Sequence, residues 1–171
     1  MEWMNEISEN GKVLYFLSLI ELIVDKIKDS DAYDIAKNAI EKSWEWISKK
    51  NVSADELYSF LENIDENDIL SYLQMEKDDY KESVLMCIAD ALACISYEAY
   101  TYEKADYLPE TIEAVDEDTI DEFNNSFIKA YGPNQIMNDI KDYLMAHHSK
   151  HDNDEIERES INNFIHEKLS K

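Results

Sequence analysis

Side chains able to do chemistry are few in this sequence. His147, His148 and His151 stand together in the run HHSKH. On a helix, His147 and His151 lie one turn apart and could share a divalent cation. Histidines near a helix C-terminus are also favourable without any metal, because the dipole there welcomes positive charge. No carboxylate stands at a helical spacing that completes a site, and Asp152 and Asp154 fall in an expected loop, so no metal is expected here. A carboxylate-bridged di-iron centre in a helical bundle needs Glu-x-x-His motifs. None of His147, His148, His151 and His166 has a Glu three residues before it.

Cys87 and Cys94 are seven residues apart. That is two helical turns, about 10.5 Å of axial rise, too far for a mutual disulfide. Both sit in the most apolar stretch of the chain, where a thiol behaves as a small hydrophobe. Asp90 lies between them in CIADALACI. It reads either as a hydrogen-bonded structural acid or as part of a polar stripe with Ser83 and Tyr97, and no catalytic partner accompanies it. Gly11 and Gly132 stand alone, which excludes a Gly-rich phosphate loop. These residues show no assembled catalytic or cofactor-binding site, and an enzyme built on Asp90 or the histidine cluster is kept as an alternative reading.

What remains is charge. The chain has 171 residues with 39 acids against 16 Lys and Arg, a net charge of −23. Residues 61–128 alone carry 19 acids and 3 Lys, net −16. Between Ala105 and Ile128 there are eight carboxylates and no Lys, Arg or His. Such a field repels nucleic acid and anionic membrane and attracts basic partners. Solubility is the plainer explanation of net charge, but it does not require this concentration in one segment. Tyr97, Tyr100, Tyr102 and Tyr107 crowd the approach to the acidic run. Tyrosine beside charge is an interface composition, since it buries area and keeps a polar handle; packing at a helix end is the alternative. The candidate partner-binding face is thus Tyr97, Tyr100, Tyr102, Tyr107, Glu110, Glu113, Asp116, Glu117 and Asp118.

The elements that must position this face are helices. Two glycines and two prolines in the whole chain argue against a many-stranded fold. Apolar residues at 3–4 residue spacing predict a first helix through Val13–Ile27 and a second over 32–50. Ser30 or Asp31 is placed to cap the second. In the second, Trp44 shares the apolar stripe and Trp46 is expected to be partly exposed. SADE, residues 53–56, has the form of a capping box. A further short helix opens at Asp65 or Asn67. Residues 78–105 form a long helix whose part from Val84 to Ile95 is apolar nearly all round, the mark of a helix surrounded by others. Pro109 biases Leu108 to an extended conformation, so the long helix should have ended by then; Asp116 or Asp118 caps the next helix, and Gly132–Pro133 stops it. Residues 135–148 and 155–169 are the last two helices. The reading is one all-α domain over 1–171, a single compact unit of about seven or eight helices around a central apolar helix. With no disulfide framework and no basic leader in the first eleven residues, a cytoplasmic protein is expected. VLYFLSLIELIVDKI is interrupted by Glu21 and Asp25, so it reads as a core helix and not a membrane span.

Two stretches carry a resemblance: AYDIAKNAIEKSWEWISKKNVSADELYSFLEN, and ADALACISYEAYTYEKADYLPETIEAVDED. From about Ala32 to Phe123 the chain resembles an all-helical family of bacterial immunity proteins, the sixth-numbered group of those encoded beside polymorphic toxins. The resemblance implies no enzymatic activity and no cofactor. It implies tight binding to one cognate toxin protein, with a basic working cleft if that toxin handles phosphates. No nucleic-acid or membrane partner is expected, and the chain is expected to be a monomer or weak homodimer. An acidic helical adaptor for another basic protein is the alternative.

Overall fold

The computed structural model describes residues 2–150 and 155–170. Among these residues the regular elements are α1 Glu9–Ile23, α2 Tyr33–Lys49, α3 Ala54–Leu61, α4 Ile69–Met75, α5 Asp79–Glu103, α6 Glu110–Glu113, α7 Glu117–Tyr131, α8 Ile136–His147 and α9 Arg158–Leu169. Short 3-10 turns at Glu2–Asn5 and Val24–Ile27 flank α1. The all-α reading holds, with nine α-helices among the described residues in place of seven or eight. The additional element is α6, a single turn too short to show a periodicity.

Helix starts follow the polar residues that satisfy their first free amides. Ser8 accepts from Gly11 N at 2.9 Å, so α1 begins four residues before Val13, the expected start. Ser53 accepts from Glu56 N at 3.1 Å. The return arm of that capping box is absent: Glu56 lies 3.3 Å from Lys42 instead. Asp68, and not Asp65 or Asn67, caps α4 through Ser71 N at 2.8 Å. The helix α2 has no side-chain cap, and Ser30 accepts from Ala32 N in the turn before it.

The helix α5 is the centre of the molecule. Val84, Leu85, Cys87, Ile88, Ala91, Leu92, Cys94 and Ile95 are all buried, and α5 packs against α7, α3, α1, α4, α6 and α2. Its apolar window has the composition of a membrane span, yet 78% of that window is buried inside the protein. Burying each such leucine or isoleucine contributes roughly 1.5–3 kcal/mol. One contiguous apolar cluster runs from Met4 to Ile165.

Trp46 departs from expectation, being only 2% exposed. The edge of Tyr102 covers it at 6.0 Å and the Lys50 ammonium sits 3.6 Å from its ring centre. The end of α5 thus widens the buried arc of α2 beyond its apolar stripe. After α8, the chain clasps the N-terminal segment: Ser8 N donates to the His148 carbonyl at 2.9 Å, and Lys150 N to the Glu6 carbonyl at 3.1 Å. Gly11 permits this approach, since a Cβ there would meet His148 at 3.3 Å. Arg158 at the start of α9 forks onto Glu41 at 2.7 and 2.8 Å, also bonds Glu21, and lies 5.0 Å over the Trp44 ring.

Candidate partner-binding face

Among the described residues, the histidines and cysteines do not assemble a reactive centre. His147 is exposed beside Tyr143, with ring centres 4.7 Å apart. His148 is buried in the terminal clasp. His151, Asp152 and Asp154 lie outside the described residues. Among the described residues, no three His, Cys, Asp or Glu side chains converge as a metal site. Cys87 and Cys94 are free and buried. Burial pushes both thiols well up, away from the reactive thiolate.

The acidic stretch is a strip laid across α5. The helix α5 is capped at its end by Lys104, which takes a left-handed conformation at φ 55°. The chain then turns through Tyr107 and Pro109 into α6 and on to α7. Ile112, Phe123 and Phe127 are fully buried and pin the strip to the core. Between these anchors and the end of α5, Asp106, Glu110, Glu113, Asp116, Glu117, Asp118, Asp121 and Glu122 are all exposed. Asp116 has a structural task as well: its carboxylate accepts from Asp118 N at 2.9 Å and Thr119 N at 3.2 Å, completing a capping box. Glu117 and Asp118 occupy the first turn of α7, where the helix dipole favours negative charge.

A depression lies on either side of the strip, and Val115 borders both. The first, of about 190 Å³, is ringed by Tyr97, Glu98, Asp116 and Glu117 over a floor that includes Phe16 and Cys94. Lys12 closes one side, 3.3 Å from Glu98 Oε1. Burial raises the Glu98 carboxyl, and Lys12 opposes that shift. The second depression, of about 220 Å³, is a groove bounded by α3, α4, α5, α6 and α7. Leu61, Leu70, Met86, Ala89 and Ala93 supply apolar walls, and Asp90 and Glu122 face into it. Asp90 is pushed up to about 7, first by burial and then by the charge of Glu122; the Ser126 hydroxyl, 3.5 Å away, opposes this.

The tyrosines do not form one patch. Tyr97 lines the first depression and Tyr107 is 89% exposed on the strip. Tyr102 is half exposed but leans on Trp46 of α2. Tyr100 is buried, donates its hydroxyl to Asp55 and sits 6.4 Å from the Tyr58 ring. It is a core residue, corrected from a surface one, because its position on α5 faces α3. Of the nine residues expected at the face, Tyr97, Asp116 and Glu117 meet at one depression. Tyr107, Glu110, Glu113 and Asp118 share the strip, while Tyr100 and Tyr102 belong to the α2–α3 side. Sequence reasoning left out Glu98, Thr111 and Glu122 and gave Asp90 no partner. The available signal was a carboxylate inside an otherwise apolar helix.

No curated protein and no solved structure matches this chain. The family model for Immunity protein Imm6 matches residues 11–130. That span runs from the first turn of α1 to the last turn of α7 and contains the strip and nearly all the residues lining both depressions. By this match over most of its length, the chain belongs to the Imm6 family of immunity proteins.

Proposed function

We propose that this protein binds one cognate bacterial toxin domain and neutralises it without catalysis, using the strip Tyr107–Asp118 and the depressions beside it as the contact face. The observation that carries this reading is the run of eight exposed carboxylates from Asp106 to Glu122, unbroken by any base in the sequence, five of them within the strip itself. A toxin that cuts or edits nucleic acid needs a basic cleft to hold phosphates, and this strip is its electrostatic complement. Exposed charges of this kind add little affinity pair by pair. Together they steer the encounter and raise its rate. Contacts that lose water, in and around the depressions, then slow release. Membership of an immunity family fits a partner made by the same cell, met in the cytoplasm, and bound by a monomer or weak homodimer. The negative field disfavours nucleic acid and anionic membrane as partners.

The test is co-expression with the toxin domain encoded beside the gene. The reading expects surviving cells and co-purification of the two chains. Cell death with no complex would refute it.

A further inference from the structure

We infer that the groove between α3, α4, α5, α6 and α7 is a socket for one arginine side chain of the bound toxin. The inference rests on the function proposed above and specifies what that face grips. The walls are apolar, from Leu61, Leu70, Met86, Ala89 and Ala93, and suit the methylene stem of a long side chain. Two carboxylates, Asp90 from α5 and Glu122 from α7, line the same groove. Among the described residues, no Lys, Arg or His lines it.

Asp90 is half-buried, and a carboxylate drawn partly out of water is ordinarily met by hydrogen bonds or by a base. Among the described residues, the side-chain donor that reaches Asp90 is the Ser126 hydroxyl, at the long limit of 3.5 Å, and its charged neighbour Glu122 repels it. Asp90 is half-buried and Glu122 exposed at the mouth of the same groove, and like charges there oppose each other in the free protein. A cation placed between them removes that opposition. Arginine fits better than lysine because its planar, weakly hydrated guanidinium can engage two carboxylates at once while its stem lies on apolar walls. The groove also adjoins the strip directly: Thr111, Val115 and Thr119 line it. Steering by the strip therefore delivers the partner's basic surface to the socket.

The test uses the full chain and a catalytically silenced form of the adjacent toxin domain, with dissociation followed by surface plasmon resonance. The double variant Asp90→Asn, Glu122→Gln keeps the shape of both side chains and is checked for folding by circular dichroism and thermal unfolding. The expected result is dissociation at least about tenfold faster, as for loss of a buried charged hydrogen-bond pair. An arginine-to-alanine scan of the toxin should find one position whose loss is not additive with the double variant. Unchanged dissociation, or a scan in which no arginine couples, overturns the socket while leaving the proposed function standing. Failure of the wild-type chain to bind the toxin domain at all overturns both.

Discussion

Replacing Asp90 with asparagine should make the protein more stable, and increasingly so as pH rises. The carboxyl is raised from 3.8 to about 7 in the folded chain. A raised acid favours the folded state fully only below its unfolded value, and that contribution is lost as pH climbs through the folded value. Complete conversion of the shift at 1.36 kcal/mol per pH unit gives about 4 kcal/mol. Asp90 is only partly buried, so solvent screening reduces this to about 2 kcal/mol. Roughly half of that develops between about pH 5.5 and 8.5, the range clear of the isoelectric point. The substituted asparagine carries no proton to lose and is nearly isosteric. Urea unfolding should therefore show Asp90→Asn more stable than wild type by about 1 kcal/mol at the lower pH and about 2 kcal/mol at the higher. Among the groove-lining residues, Glu122 on α7 is the other ionisable group, while α3, α4 and α6 with the turn after it contribute Leu61, Leu70, Thr111 and Ala114. The Glu122→Gln variant should accordingly show a smaller pH effect at Asp90. A constant gap across the range would mean that Asp90 is ordinarily solvated and that the account of the groove is wrong.

Leu92→Ala should cost about 2–5 kcal/mol in denaturant unfolding, because Leu92 is buried on the central helix and its loss leaves a cavity. Asp116→Ala should cost about 1 kcal/mol by removing the cap of α7, whereas Asp116→Ser, which can still accept from the helix amides, should be nearly neutral in the same assay. Tyr100→Phe should lower stability by about 1–2 kcal/mol through loss of its bond to Asp55 and leave toxin dissociation unchanged, since the hydroxyl faces α3 inside the protein.

The fold was largely legible because each long helix declares itself by one local pattern. The all-round apolar run of α5 could only be surrounded by other helices, and Gly132 marks the real end of α7, whereas α5 stops at Glu103 and Pro109 stands at the start of α6. What stayed hidden depends on neighbours distant in sequence. Trp46 looks exposed from α2 alone and is covered by Tyr102, which arrives 56 positions later. Tyr100 and Tyr97 are one helical turn apart, yet one meets α3 and the other a surface depression. The acidic run was plain in the sequence. Its meeting with Asp90 across α5 and α7 was not, because a half-buried acid and its neighbour share no spacing rule when they lie on different helices.

The measurement that tests the central claim most directly is the association rate of this chain with its catalytically silenced toxin domain at low and high salt. It compares wild type with the Glu110→Gln, Glu113→Gln, Glu117→Gln, Asp118→Asn variant. Steering by the strip predicts that the variant associates about tenfold more slowly at low ionic strength. The difference should shrink as salt shortens the screening length to about 10 Å near 0.1 M. Equal rates for the two proteins at low salt, or no association of the wild type, would contradict the account.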